Sequence, residues 1–499
     1  MPQTIDGLLR KVATERGDAP AIQFGDRRLS YSDVLREIDR AALSLRAQGI
    51  GHGTAFAVLC ENCLEVMVAY YAAARLGAVF VPINPSLTAR EVAHIVIHSG
   101  AIRLFHDESM REVAEQAAPA SMRRPLEVLW QAPTDNAQSG VAAIDPSEDF
   151  LIIYTSGSTG TPKAVLFDQQ AEIAGNASLI EMWDITARDI TLVALPLGFL
   201  YGLSTAAATG LQVGGQVVIQ RRFHPGEVLQ AMGAHRVTIY HGVPTMFTMM
   251  LDYAEQNDLR IDLSFVRLLI CAGAPLSAEL KARFQARFGK AIDDYYALTE
   301  VRPVFGRFAR DTGPIPPGAI GRASPSAVVR IVDGAGTEVA DGVHGELVVR
   351  APSTLKRYYK DEGLTKSAFL GDLFRTGDLG FRDPQGFYHL TGRIKDIIIR
   401  GGANIAPAEV EGVIGSHSGV QSAAVIGVPD RKYGEVPVAF VIRRSGADVT
   451  PEALADLCRK ELAEYKVPAV FRFVPDFPLG VTGKVDKNAL KARWAEAQA

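Results

Sequence analysis

This sequence predicts an α/β fold: a large N-terminal domain of several subdomains built mainly on parallel sheets, a β-rich subdomain, and a small α+β C-terminal domain. Three observations predict it. The chain has 499 residues, more than one ordinary domain holds. From about Tyr31 to Asp294, strand-like runs ("TAFAVLC", "GAVFVPI", "GQVVIQ", "VTIYH", "VRLLICAG") alternate with helical stretches such as "PLSAELKARFQARFG". That alternation is the pattern of parallel βα units. Beyond it the texture changes twice. From Ser324 to Leu390, "AVVRIVDGAGTEVADGVHGELVVRA" gives short alternating strands and turns. After "TGRIKDIIIRGGANIAP" come "SAAVIGVPD", "VPVAFVIRR" and a helix opened by Thr450 with Pro451 in its first turn. A domain boundary, with a hinge, is therefore expected near that stretch.

Composition narrows the class. With 47% apolar and 22% charged residues the chain reads as a soluble globular protein, and a net charge of −4 gives no electrostatic footprint for nucleic acid. The start, "MPQTIDGLLRKVATERGD", lacks the apolar core of a signal peptide. "VMVAYYAAARLGAVFVPI" is interrupted by Arg75 and Gly77, so it reads as a helix and a buried strand, not a membrane span. Four cysteines make no disulfide framework, and a cytoplasmic location is expected. Cys60 and Cys63 form a CxxC at a strand end. Zinc would need two more ligands, so small apolar fillers are the expectation. His94 and His98 sit four apart without the glutamate of HExxH, which favours a structural role.

The chemistry concentrates in "YTSGSTGTPK" (154–163), which follows the apolar run "DFLII". Small donors, glycines and a lysine after a strand suit a loop that wraps an anion with backbone N–H groups. The spacing is neither a Walker A loop nor a nucleophile elbow. "CAGAPLS" (271–277), "YYALTE" (295–300), "FRTGDLG" (374–380), "GRIKDIIIRGGANIAPAEVE" (392–411) and "PLGVTGKVDK" (478–487) complete the set.

In this order, over nearly the whole chain, these stretches resemble the adenylate-forming superfamily of acyl- and aryl-CoA synthetases, nonribosomal peptide synthetase adenylation domains and firefly luciferase. The resemblance implies a mobile C-terminal domain and activation of a carboxylic acid as acyl-AMP, with ATP, Mg²⁺ and coenzyme A as cosubstrates and cofactor. It implies that Thr155, Ser156, Gly157, Ser158, Thr159 and Gly160, with Lys163, hold the β- and γ-phosphates. Thr299 would donate to the α-phosphate and Glu300 would hold Mg²⁺. Tyr296 would face adenine, with Gly273, Ala274 and Pro275 along the base edge. Asp378 would accept from the ribose hydroxyls, supported by Arg393. Lys484 would reach the transferring carboxylate, Lys395 would be the hinge, which sets the domains at 1–393 and 397–499 with the hinge at 394–396, and Gly401 and Gly402 would border the coenzyme A path.

"ALPLGFLYGLS" (194–204) carries no acid to pair a substrate amine, which points to the acyl- or aryl-CoA ligase branch. Phe199 stands where many members have histidine, and Ala297 where glycine is usual. Phe199, His241, Gly242, Val243, Ala297 and Arg302 are assigned to the acid pocket. The expected substrate is an apolar aromatic or short-to-medium-chain acid. The alternatives are a dicarboxylate such as malonate held by His241 or Arg302, acyl transfer to a carrier protein, and a non-catalytic ATP-binding regulator. The expected partners are the acid, ATP and coenzyme A, and a homodimer is compatible with the sequence.

Overall fold

The computed structural model describes residues 3–131, 143–155, 162–311, 313–444, 446–479 and 485–497. The apolar run around Arg75 forms the helix Leu64–Leu76 and the wholly buried strand Val79–Ile83, with Gly77 at φ +63° ending the helix in the left-handed region. Among the described residues no helix is long and apolar enough to cross a membrane.

Two sheets form the body of the N-terminal part. One has seven strands in the order Arg357–Tyr358, Lys163–Asp168, Asp149–Thr155, Val79–Ile83, Ala55–Leu59, Leu104–His106 and Arg123–Pro125. Asp149–Thr155 runs parallel to Val79–Ile83 and antiparallel to Lys163–Asp168, so the hairpin of the donor-rich loop is built into it. The other is a ten-stranded sheet. Within it Ile190–Val193, Ile239–Gly242, Leu268–Cys271 and Asp293–Leu298 are neighbours and parallel. The residues of Ile239–Gly242 and Leu268–Cys271 are buried throughout, which is why these runs read as continuous rather than alternating.

The β-rich stretch forms a separate five-stranded antiparallel sheet around Gly345–Arg350 and Leu373–Arg382. The C-terminal part is another five-stranded sheet with its own core, including Ile398, Val425, Val441 and Leu454. The helix Pro451–Glu461 is capped by the Thr450 hydroxyl, as its sequence predicts. Arg444 of this part ion-pairs with Glu279, on the helix Ala278–Phe288 of the N-terminal part.

Cys60 and Cys63 are buried free thiols 3.8 Å apart. Their contact and their burial push the Cys60 thiol up, which suits fillers rather than nucleophiles. His94 and His98 stack with ring centroids 5.6 Å apart, and the His98 Nδ1 lies 2.8 Å from the Tyr154 hydroxyl. Among the described residues no group of three or more His, Cys, Asp or Glu could hold a metal ion.

Candidate active site

Ligand sites in parallel sheets form beyond the carboxyl ends of the strands. Here the four parallel neighbours of the larger sheet deliver the predicted residues to one edge. Ile190–Val193 leads to Phe199, Ile239–Gly242 to Val243, Leu268–Cys271 to Gly273–Pro275, and Asp293–Leu298 to Thr299 and Glu300. Gly273, at φ +91°, turns the exposed loop after its strand. Thr299 and Glu300 form the two-residue tip of an antiparallel hairpin, between paired Leu298 and Val301.

The smaller sheet supplies the phosphate side. Thr155 and Lys163 are register partners at the base of the hairpin. Ser156, Gly157, Ser158, Thr159 and Gly160 lie outside the described residues, as does Lys484. The Lys163 ammonium sits over the ring of Tyr358, 5.5 Å from its centroid. The Tyr358 hydroxyl donates to Glu300 Oε1 at 2.9 Å. One buried tyrosine thus touches both predicted phosphate-side groups. Sequence reasoning missed it, because in "RYYK" it stands among ordinary surface-like residues.

The nucleoside side gathers on the same hairpin. The Tyr296 hydroxyl donates to Asp378 Oδ2 at 2.6 Å, and its ring stacks on Phe305 at 4.4 Å. Burial and the neighbouring Asp378 charge push the Tyr296 phenol up, so it stays a donor. Asp378 is not in a tight turn, as "TGDLG" suggests. It lies within the strand Leu373–Arg382, inside a bulge between Arg375 and Leu379 in which Gly377 adopts φ +68°. The bulge re-aims a strand side chain. Arg393 Nε lies 2.7 Å from Asp378 Oδ1, yet out of line for a hydrogen bond, so that oxygen keeps its acceptor capacity.

On the acid side, Phe199 is half-buried and leads into an eight-residue π-helix, Tyr201–Ala208. Such helices are rare and cluster at functional sites. A Cβ on Gly198 would meet the Asn84 backbone at 2.7 Å, so the glycine lets this turn approach the smaller sheet. His241 is buried against Trp183 and Tyr201, at ring-centroid distances of 5.5 and 5.6 Å. Burial pushes its pKa down to about 3, so the ring is neutral. Gly242 packs against Phe247, and Ala297 lies with Tyr201 against the cluster of Trp183 and Tyr295.

Arg302 requires correction. The sequence puts it in the acid pocket, but only 1% of it is exposed and three hydrogen bonds within the chain already engage its guanidinium. It donates to Glu172 Oε1 at 2.8 Å, Asn176 Oδ1 at 2.9 Å and Ser204 Oγ at 2.7 Å. Glu172 is fully buried, so withdrawing Arg302 toward a substrate would strand a carboxylate.

Lys395 is exposed in a 3₁₀ turn, Ile394–Asp396, between the two parts. Gly401 and Gly402 turn the hairpin joining Ile398–Arg400 to Ala403–Ile405 at φ +57° and +85°.

The chain matches the AMP-binding enzyme family over residues 9–359 and the AMP-binding enzyme C-terminal domain over residues 409–484. A feruloyl-CoA synthase of Amycolatopsis sp is 34% identical over 479 residues, covering 95% of this chain and 96% of that protein. An indoleacetate–CoA ligase of Aromatoleum aromaticum is 30% identical over 483 residues, 94% of each chain. The crystal structure of ATP-bound MatB from Rhodopseudomonas palustris superposes with a TM-score of 0.89 at 29% identity, covering both chains fully.

Proposed function

The chain belongs to the AMP-binding enzyme family, and from that premise we propose that it is an ATP-dependent acid–CoA ligase for an apolar monocarboxylic acid, aromatic or of short to medium chain. One observation carries the reading. A single hairpin joins the Tyr296–Asp378 pair, suited to a nucleoside, to the Glu300–Tyr358–Lys163 group, suited to phosphates.

In the first half-reaction a carboxylate oxygen bonds to the α-phosphorus, and the bond to the bridging oxygen breaks, releasing pyrophosphate. Two anions meet, so catalysis is mainly positioning and charge stabilisation. Lys163 and the Thr155 hydroxyl face the β- and γ-phosphates, Thr299 donates to the α-phosphate, and Asp378 accepts from ribose. Lys484 serves the transferring carboxylate. Glu300, whose Oε1 accepts from the Tyr358 hydroxyl, would hold Mg²⁺ as an oxygen ligand, and the ion would offset phosphate charge when bound. In the second half-reaction the coenzyme A sulfur bonds to the acyl carbon, AMP leaves, and the thiol proton is released. Gly401 and Gly402 border that path after a turn about Lys395.

The acid side supports a monocarboxylate. A second carboxylate in a buried pocket needs a cation. His241 is neutral and Arg302 is committed to Glu172. The test compares benzoate, a phenyl-substituted short acid, hexanoate, malonate and methylmalonate by kcat/KM with a pyrophosphate readout. An apolar monocarboxylate should lead; a tenfold lead for malonate or methylmalonate overturns the reading.

A further inference from the structure

The geometry points to Tyr358 as a positioning residue that ties the phosphate lysine to the metal carboxylate; this rests on the roles proposed for Lys163 and Glu300. The strand Arg357–Tyr358 is short, yet it is fastened on two sides. Tyr358 pairs with Val165, and the Tyr359 N–H donates to the Ala164 carbonyl at 2.8 Å, so the segment lies along the strand that Lys163 opens. Toward the hairpin, the Leu355 N–H donates to the Glu300 carbonyl at 2.7 Å and the Tyr358 hydroxyl to Glu300 Oε1 at 2.9 Å.

Glu300 is thus gripped through both backbone and side chain by one segment. The seven-stranded and ten-stranded sheets, which carry Lys163 and Glu300 respectively, meet at this tyrosine. With Oε1 engaged by the phenol, the carboxylate is restrained to one rotamer, and Oε2 has a fixed direction in which to meet a cation. The ring face meanwhile seats the Lys163 ammonium, 5.5 Å from its centroid. A merely well-packed tyrosine would stabilise the fold without biasing metal affinity, and that difference can be measured.

The experiment uses the full chain with Tyr358→Phe, Tyr358→Leu, Glu300→Gln and the double variant Tyr358→Phe/Glu300→Gln. ATP binding is followed by calorimetry without acid, first in EDTA and then across a Mg²⁺ titration, with thermal unfolding recorded beside it. Tyr358→Phe should leave metal-free ATP affinity within twofold of wild type and raise the half-saturating Mg²⁺ about tenfold, the scale of one lost hydrogen bond to a charged group. Tyr358→Leu should also weaken metal-free ATP binding several-fold, because the seat for Lys163 is gone. In the Glu300→Gln background the phenylalanine change should add nothing. A Mg²⁺ requirement within twofold of wild type in folded Tyr358→Phe overturns the proposal, as do additive losses in the double variant. These binding readouts stand even if no acid supports pyrophosphate exchange, so failure of the ligase reading and failure of the tether are told apart.

Discussion

His241 shows how a strand-end residue acquires its character from packing. Trp183 and Tyr201 exclude water from its ring, and the pKa falls to about 3. Histidine in an unfolded chain titrates near 6.5. Between those values the unfolded state binds more protons, so the stability His241 contributes is complete above about 6.5 and is lost as pH falls toward 3. Asp293 acts in the opposite sense. Burial pushes it up to about 6, so its contribution is present at low pH and is lost as pH rises through 6. The comparison of wild type with His241→Gln cancels that second group. From pH 7 to pH 5 the thermal midpoint of wild type should drop relative to that of the variant. Equal falls would show that His241 is not the source.

At the scale of elements, Arg302 fastens three of them. Glu172 and Asn176 lie on the helix Gln169–Trp183, Ser204 on the π-helix, and Arg302 on the strand Val301–Gly306. The Ser204 hydroxyl also donates to Glu172 at 2.5 Å, closing the network. Breaking a buried pair from one side costs about 3–5 kcal/mol, whereas replacing both partners by apolar residues is often neutral. Arg302→Met should therefore lower the unfolding midpoint strongly, and Arg302→Met/Glu172→Leu should recover most of the loss. A single variant as stable as wild type would return Arg302 to the acid pocket. This network was invisible in the sequence. Arg302 sits beside Glu300 there, while its true partner lies 130 residues away. The π-helix was equally hidden, since "YGLSTAAA" carries no amphipathic period. Asp378 was found by motif but misplaced, because a bulge and a turn share the same glycine chemistry. By contrast, the apolar strands, the helix within "PLSAELKARFQARFG" and the helix opened by Thr450 were legible, because local chain chemistry decides them.

For the molecule as a whole, the motif frame read from the sequence named candidate residues but not where the fold would place them. Of its described residues, Thr155 and Lys163 lie at strand ends of one sheet and Thr299 and Glu300 at the hairpin tip of another, while Asp378 and Arg393 pair in a third sheet and Gly401 and Gly402 turn a hairpin of a fourth. What the frame lacked was Tyr358, whose role exists only where the first two of these sheets touch. The proposed turn about Lys395 makes a further prediction. Proline fixes φ and removes a backbone N–H. Lys395→Pro should retain acid-dependent ATP–pyrophosphate exchange and lose most thioester formation from purified acyl-AMP. Undiminished turnover in both half-reactions would place the pivot elsewhere.

The ion pair between Arg444 and Glu279 acquires a kinetic meaning from that turn. Both side chains are partly exposed, and such contacts are worth about 0–1 kcal/mol. A hold of that size tilts the resting population about fivefold at most, and thermal motion releases it without help from chemistry. On the proposed turn it would work as a weak detent, favouring one stop of the cycle without trapping the chain there. Because dissolved ions screen it, the proposed turn predicts a dwell time at that stop that shortens as ionic strength rises, with the buried chemistry on the hairpin keeping its own pace.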